Sequence, residues 1–342
     1  MDNSDAFLNE SSGNSTAMSH GTVSIFTAVI VLVTACLGVL TNALLFAVTI
    51  TYRPIHGLAS WPLLAHCMLV DCLVSATRLT MAIPLYLYPG YVLPDVYCQF
   101  QPLFSYLPYV ASMYASTVLA IYRLVARMLP HRFAILTTRP VLGIALIIPW
   151  IVAIGLNLFP IFGVGLQLKR SSALGFCVMV SSLEVPEGGA LIAYSTTATY
   201  APTCVMGLCY GIVLTTTIRD VRGQRRQSMT SRGQAVGRRL EISKTLFLSY
   251  AWQCVSLYPL VIVASCFPAV FAESQKLQLL LRLLSNSYTT INPIFYWASS
   301  RLYADGTRSA LTIRPRRDAK LASNSVVPLW TLGKWQAIPM PR

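Results

Sequence analysis

Long apolar runs recur along this chain of 342 residues. About 20 apolar residues in a helix are enough to cross the ~30 Å hydrocarbon core of a bilayer. Lipid offers no hydrogen-bond partners, so a spanning segment must satisfy its backbone groups within a helix. Strands of an outer-membrane barrel would be shorter and would alternate apolar with polar residues, which excludes that class. The pattern predicts an all-α membrane protein, a seven-transmembrane helix bundle with spans at 23–50, 58–88, 98–126, 140–162, 190–218, 240–267 and 277–298.

The charge content supports a membrane protein and argues against a nucleic-acid partner. Only 11% of the residues are charged, whereas soluble domains carry about 25%. The net charge of +14 would suggest nucleic-acid binding in a soluble protein, but here the arginines form short clusters between apolar runs. Positive charge retained on the cytoplasmic face explains the excess.

The flanking segments predict the orientation in a plasma membrane. Residues 1–22 form a polar tail with glycosylation acceptor sequons at Asn9 and Asn14, which favours an extracellular N-terminus. Arg53, Arg127 and the cluster from Arg219 to Arg239 all fall on the opposite side, as the positive-inside rule requires for cytoplasmic loops. Residues 23–298 are the predicted bundle, and 312–342 are a cytoplasmic tail predicted to be disordered.

The segment 299–311 is predicted to form a short amphipathic helix on the inner leaflet. Apolar and basic residues alternate there at a spacing that suits a helix lying in the interface, although Gly306 opposes helix formation. The inner cluster before span six, with Ser228, Thr230 and Ser231, could bind a G protein and take phosphate, or could serve only as an electrostatic anchor on membrane lipids.

Two of the nine cysteines lie where an oxidising environment is expected. Cys98 begins span three on the outer side, and Cys177 lies in the long outer loop. A disulfide between them is the natural pairing, and it would hold the loop over the mouth of the bundle. Most of the others fall inside apolar runs, where a thiol packs as a small apolar group.

Each span also carries a landmark residue at a recognisable spacing. Arg123 follows Cys98 by 25 positions, and Tyr210 follows Pro202 by eight. The landmarks are Asn42, Asp71 in Leu69-Val70-Asp71-Cys72-Leu73, Arg123 in Ile121-Tyr122-Arg123, Trp150, Pro202 with Tyr210, Pro259, and Asn292-Pro293-Ile294-Phe295-Tyr296. Together they resemble the rhodopsin-like (class A) G-protein-coupled receptors over nearly the whole chain. The stretch from Asn292 to Tyr303 is also similar to the moody and trapped-in-endoderm orphan receptors.

The resemblance implies a receptor that binds an extracellular ligand and activates a heterotrimeric G protein. It assigns coupling and activation to Tyr122, Arg123, Tyr210, Pro293 and Tyr296. Arg123 is then expected to contact Tyr210 and the G protein in the active state, with Tyr296 swinging inward beside them. The alternative is that Arg123 is only a positive-inside anchor at a helix end.

The sequence departs from the family pattern at the residues that hold the inactive state. Tyr122 replaces the acid beside Arg123, and Arg239 stands where relatives carry a glutamate, although Glu241 is close enough to substitute. Ser256-Leu257-Tyr258-Pro259 replaces the usual CWxP element. Losing such a charge pair would shift the equilibrium by about 1–3 kcal/mol, which is enough for measurable basal activity.

Asp71 is a carboxylate in the middle of a predicted membrane helix, where an unpartnered charge is costly. By resemblance, Asp71, Ser112 and Asn292 could hold a sodium ion or a water cluster. The alternative is a protonated, hydrogen-bonded acid.

The ligand is constrained by charge. Ser105 occupies the position where amine receptors carry an aspartate, which argues against a biogenic amine. Arg78 and Arg282 lie in the outer halves of spans two and seven, and two interior cations suit an anionic, partly apolar ligand such as an anionic lipid or an organic acid. Alternatively, they extend to the outer interface or pair with Glu184 or Glu187. The aromatic and apolar residues expected to line the pocket are Tyr106, Tyr109, Met113, Phe176, Tyr194, Tyr258 and Tyr288.

Two other classes of function remain open. A transporter would favour repeated halves or broken helices at mid-membrane, and a receptor-like binder would bind without coupling to a G protein. The sequence lacks HExxH, P-loop, GxSxG and GxGxxG motifs, and His20, His56, His66 and His131 have no metal-ligand spacing, so we do not expect an enzyme or a cofactor beyond the sodium ion.

Overall fold

The structure is a computed structural model that describes residues 10–87, 94–130, 133–170, 177–181, 189–224 and 231–312. Several predicted features lie outside these residues: Asn9, Phe176, Glu184, Glu187, Ser228, Thr230 and the tail beyond residue 312. The side chains of Asn14, Ser231 and Arg239 are likewise outside the description.

Seven long helices, counted within the described ranges, follow one another along the chain. They are α1 (Glu10–Thr51), α2 (Trp61–Leu87), α3 (Asp95–Gln101, a π-helical turn Pro102–Tyr106, and Leu107–Met128), α4 (Arg139–Ile161), α5 (Gly189–Ser195, a π-helical turn Thr196–Tyr200, and Ala201–Gln224), α6 (Ser231–Cys266) and α7 (Gln275–Ser299). Short helices Arg53–His56, Phe133–Leu136 and Pro268–Glu273 lie between them, and α8 (Arg301–Leu311) follows α7. The predicted seven-helix bundle is confirmed.

Six helices in the described part of the chain are long and apolar enough to cross a membrane. The remaining long helix, α7, carries Lys276, Arg282 and many amides and hydroxyls. It packs between α1 and α6, so protein covers much of its polar surface. Large apolar side chains instead point outward from other helices, with Leu40, Ile151 and Leu208 between 63% and 69% exposed. An apolar exterior around a partly polar interior fits a bundle surrounded by lipid.

Helix α3 is the centre of the packing and contacts α2, α4 and α5. The main core combines buried side chains from α1, α2, α3, α5, α6 and α7, among them Leu45, Leu64, Met113, Met206, Leu246 and Tyr288. Met113, one of the predicted pocket residues, is therefore a core residue with no exposed surface.

Asn42 on α1 supplies a hydrogen bond that the backbone of α7 lacks at its proline. Pro293 has no N–H, so the carbonyl of Thr289, four residues earlier, loses its helical partner. Asn42 Nδ2 donates to that carbonyl at 2.9 Å and to the Gly38 carbonyl at 2.8 Å. A neighbouring helix thus satisfies the freed group, as membrane bundles require.

The amphipathic helix α8 packs tightly against α1. Tyr303 is fully buried, and its ring meets that of Tyr296 edge to face at 5.1 Å between centroids. Burial raises the pKa of Tyr303 to about 12, which makes ionisation of this phenol still less favourable than in water. A Cβ at Gly306 would lie 2.7 Å from Val48 Cγ1. Gly306, which opposes helix formation by its low propensity, is therefore the residue that lets α8 approach α1 closely.

A β-hairpin follows α4 at the end of the bundle that the sequence predicts to be the outer one. Strand β1 (Leu166–Arg170) pairs antiparallel with β2 (Cys177–Ser181), with Leu166 opposite Ser181 and Arg170 opposite Cys177. Cys177 is bonded to Cys98 of α3, with their Cα atoms 5.4 Å apart. The predicted disulfide is confirmed, and it ties the hairpin to the outer end of α3.

Candidate functional site

Four helices meet at the carboxylate of Asp71, which is 5% exposed. Ser112 Oγ on α3 donates to Asp71 Oδ1 at 2.6 Å, and Asn292 Nδ2 on α7 donates to Oδ2 at 2.9 Å. Ser249 on α6 donates in turn to Asn292 Oδ1. The structure therefore brings together the three residues for which the sequence suggested a sodium site, and it adds Ser249.

The oxygen atoms around Asp71 suit a small hard cation. A cavity of about 20 Å³ adjoins the carboxylate and is also lined by Ser116 and Gln253. A space of about 10–15 Å³ already admits a particle of the size of water. Carboxylate, hydroxyl and amide oxygens are the ligands that hard cations prefer. The carboxylate of Asp71 and the hydroxyl of Ser112 therefore fit a sodium ion, which would bring a positive charge to the carboxylate, whereas Asn292 directs its Nδ2 to Asp71 and its Oδ1 to Ser249.

At the inner end of α3, two adjacent side chains reach the segment that precedes α2. Arg123 Nη2 donates to Ser60 Oγ at 3.0 Å, and the Tyr122 hydroxyl donates to the Ala59 carbonyl at 3.3 Å. Arg123 Nε is buried without a hydrogen-bond partner. The ion pairs within the described residues leave Arg123 without a carboxylate, so Glu241 does not take the place of the missing acid in this state.

Arg127 forms the ion pair that holds the inner end of α3. Its Nη2 pairs with Asp220 at the end of α5, and its Nε donates to Thr216 Oγ1 at 3.4 Å. From the sequence, Arg127 was expected only to be a positive-inside residue. A spacing of four residues from Arg123 places both arginines on one helix face, but it does not identify Asp220 as the partner.

Tyr210 and Tyr296 lie between Asp71 and the inner end of the bundle. A second cavity of about 20 Å³ is lined by both tyrosines and by Cys67, Asp71 and Asn292. The Tyr210 hydroxyl donates to the Ser116 carbonyl at 3.4 Å, so it is bonded to the α3 backbone in this state. Small polar spaces thus extend from Asp71 toward the tyrosines that the resemblance assigns to activation.

Predicted pocket residues of the outer half bond or stack with residues of α3, α4 and α5 that the sequence did not single out. The Tyr109 hydroxyl lies 2.9 Å from Thr199 Oγ1, which belongs to the π-helical turn of α5. Tyr194 donates to Asn157 Oδ1 at 3.2 Å, and Tyr258 stacks on Tyr200 with centroids 5.6 Å apart. Ser105 Oγ donates to the Gln101 carbonyl of its own helix at 3.2 Å.

The two outer arginines have different surroundings. Arg78 on α2 is bonded to α7, where its Nη1 donates to the Asn286 carbonyl at 2.5 Å and to Thr289 Oγ1 at 2.9 Å. Arg282 on α7 is half-buried and lies within electrostatic range of the Tyr106 hydroxyl on α3. The sequence predicted both in one anion site; in the structure Arg78 has hydrogen-bond partners on α7, and Arg282 also interacts within the protein.

The bundle, the polar centre formed by Asp71, Ser112 and Asn292, and the disulfide define a multi-pass helical membrane protein of the receptor type. The family model described as 7 transmembrane receptor (rhodopsin family) matches residues 41–296. This match covers most of the chain and includes the landmarks from Asn42 to Tyr296, so the chain belongs to the rhodopsin family of seven-transmembrane receptors. Members of this family are signalling receptors of the plasma membrane, and the family implies G-protein partnership and an extracellular ligand in general. A comparison with curated proteins found no match.

Proposed function

We propose that this chain is a G-protein-coupled receptor with basal activity, and that an anionic extracellular ligand regulates it. The proposal rests on the contacts of Arg123. It lies at the inner end of α3, donates to Ser60, and has no carboxylate partner among the described residues. An arginine without such a charge pair needs less energy to turn toward a bound partner, which raises the population of the active state.

Replacing Arg123 by alanine should abolish basal activation of G proteins. The guanidinium is the group that would enter the G-protein interface, and a methyl group cannot replace its donors. Activation would be measured in cells with a panel covering every G-protein class, at matched surface expression. Arg53→Ala is the matched control, because Arg53 is an exposed arginine on the same side of the membrane.

Three outcomes are possible in that experiment. Activity that is lost with Arg123→Ala but kept with Arg53→Ala supports the proposal. Equal activity in wild type and Arg123→Ala contradicts the role of Arg123. A silent wild type contradicts the proposed basal activity and leaves a receptor that requires its ligand or a binder that does not couple.

For the ligand, we propose that Arg282 receives an anionic group. Its guanidinium stays charged and offers a fork of donors that matches carboxylate or phosphate. Arg282 lies in the outer half of α7 and near Tyr106, so charge and aromatic surface occur together. Arg78 lies deeper and is bonded to α7, and it supports the pocket without contacting the ligand. Fatty acids, lysophospholipids and small organic acids carry the required anion.

Arg282→Gln should weaken the response to an anionic agonist by about 10- to 100-fold, since a hydrogen bond to a charged group contributes about 1.5–3 kcal/mol. Dose–response curves with a panel of anionic lipids and organic acids would measure this loss. Lys276→Gln is the matched control, because Lys276 is an exposed cation near the start of the same helix. An unchanged dose–response curve for Arg282→Gln would contradict the anionic site.

The proposed orientation has an extracellular, glycosylated N-terminus and a cytoplasmic C-terminus. The distribution of basic residues between the spans supports it, together with the sequons at Asn9 and Asn14. The basic segment from Arg219 to Arg239 would then face the G protein and the anionic inner leaflet.

A further inference from the structure

Arg78 is held inside the bundle by α7. Besides its bonds to the Asn286 carbonyl at 2.5 Å and to Thr289 Oγ1 at 2.9 Å, its guanidinium carbon lies 4.9 Å from the centre of the Tyr288 ring. A carbonyl dipole, a hydroxyl oxygen and the face of an aromatic ring all stabilise a positive charge. Because a guanidinium keeps its proton in proteins, these contacts fix a permanent cation between α2 and α7.

Asp71 is the carboxylate that balances this cation. It precedes Arg78 by seven residues, or two helical turns, so both side chains leave the same face of α2. Among the side chains that the structure describes, no other carboxylate is buried. Asp71 and Arg78 interact electrostatically without forming a direct ion pair.

Ser75 lies between the two charges. Its Oγ is 2.9 Å from the Asp71 carbonyl oxygen and 3.1 Å from Thr289 Oγ1, the same oxygen that accepts from Arg78. Arg78, Thr289 and Ser75 are therefore parts of one hydrogen-bonded network between α2 and α7, which reaches the backbone of Asp71 and not its carboxylate. A change in charge at Asp71 changes the electrostatic energy of Arg78, because the protein interior screens charges far less than water does.

We infer that Arg78 is the built-in counter-cation of the Asp71 site and makes this site insensitive to sodium. With Arg78 in place, the two charges already cancel. A sodium ion at Asp71 would leave one uncompensated positive charge inside the bundle, and the guanidinium would repel it. The oxygen ligands suit sodium, but the charge that sodium would supply is already provided by the chain.

The same contacts decide which part of α7 is restrained. Thr289 lies four residues before Pro293, and Asn286 lies seven before it. Arg78 therefore restrains the turns of α7 that directly precede the helical hydrogen bond lost at Pro293. A fixed side chain, in place of a diffusible ion, thus couples the Asp71 site to the position of α7.

Thermal unfolding of the purified full chain tests this inference without any need for ligand or G protein. Unfolding temperatures would be compared in sodium chloride and choline chloride at equal ionic strength. The variants are Arg78→Gln, Arg78→Met, and Arg78→Gln combined with Asp71→Asn. Lys276→Gln is the control for the loss of one positive charge on the bundle, because it is exposed.

For wild type, the unfolding temperature should be the same in sodium chloride as in choline chloride, and the same should hold for Lys276→Gln. Arg78→Gln or Arg78→Met should be less stable in choline and should gain about 3 °C or more in sodium, because an ion that binds only the folded state stabilises it. The double variant should lose that gain. A sodium-specific rise in wild type, or no rise in either Arg78 variant that folds, overturns the inference. If neither Arg78 variant accumulates, the wild-type comparison decides alone.

Discussion

Replacing Cys98 by serine is expected to remove most of the receptor from the cell surface, whereas replacing Cys266 leaves surface expression unchanged. The disulfide joins residues separated by 79 positions, and by the chain-entropy argument a loop of that size contributes about 4–5 kcal/mol. Losing it also frees β2 from the outer end of α3. Cys266 is the matched control, because it is an exposed free cysteine at the end of α6.

Surface labelling of intact cells, together with thermal unfolding of the purified chain, measures both consequences. Cys177→Ser and the double variant should be as defective as Cys98→Ser, because all three remove the same bond. A double variant clearly worse than either single one would show that the cysteines contribute separately. Normal surface levels of Cys98→Ser would contradict the proposed contribution of the disulfide.

Tyr122→Asp is expected to lower basal activity by about 5- to 150-fold, which corresponds to a coupling free energy of about 1–3 kcal/mol. Tyr122 and Arg123 reach the neighbouring residues Ala59 and Ser60, so their side-chain ends lie in one region. Arg123 Nε is a buried donor without a hydrogen-bond partner, and an aspartate at position 122 would supply an acceptor and a counter-charge. Arg123 would then be held in the inactive state.

Tyr122→Phe separates the new charge from the loss of the tyrosine. It keeps the ring and removes only the hydroxyl that donates to the Ala59 carbonyl at 3.3 Å. Basal activation of G proteins at matched surface levels is the measurement for both variants. Activity that falls equally in Tyr122→Phe and Tyr122→Asp would mean that the hydroxyl, and not the missing carboxylate, controls the state of Arg123.

Hydropathy predicted most of the architecture because crossing a bilayer imposes a fixed length on each apolar run. The predicted third and fourth spans, 98–126 and 140–162, differ by only a few residues from α3 (Asp95–Met128) and α4 (Arg139–Ile161). Helices α1 and α6 begin well before their predicted spans, at Glu10 and Ser231. Helix formation does not stop where the apolar residues stop, so hydropathy marks the span and not the helix end.

The polar centre could also be predicted, because its members are conspicuous in apolar surroundings. A carboxylate such as Asp71 inside a membrane helix needs partners, and the resemblance supplied Ser112 and Asn292. The structure shows hydrogen bonds from both to Asp71. The disulfide was equally accessible, since it joins Cys98 and Cys177, two cysteines predicted to lie outside the membrane.

The partners of Arg78 and Arg127 could not be predicted from the sequence. Arg78 bonds to a carbonyl and a hydroxyl of α7 more than 200 positions away, and Arg127 pairs with Asp220, 93 positions away. Backbone carbonyls carry no signal in the sequence, and Asp220 stands among arginines that all look like inner-face anchors.

The landmark residues from Asn42 to Tyr296 carried the family resemblance, and the run lengths of apolar residues and the placement of arginines were enough to specify a seven-helix membrane bundle and its expected orientation. These properties follow from the cost of placing polar backbone and charge in lipid, which acts on each segment separately. Which groups of α7 hold Arg78, which acid restrains α3 and which residue satisfies the carbonyl freed by Pro293 depended on how the helices pack. Such contacts join side chains to groups on other helices, and the distances between helices are set by packing in three dimensions.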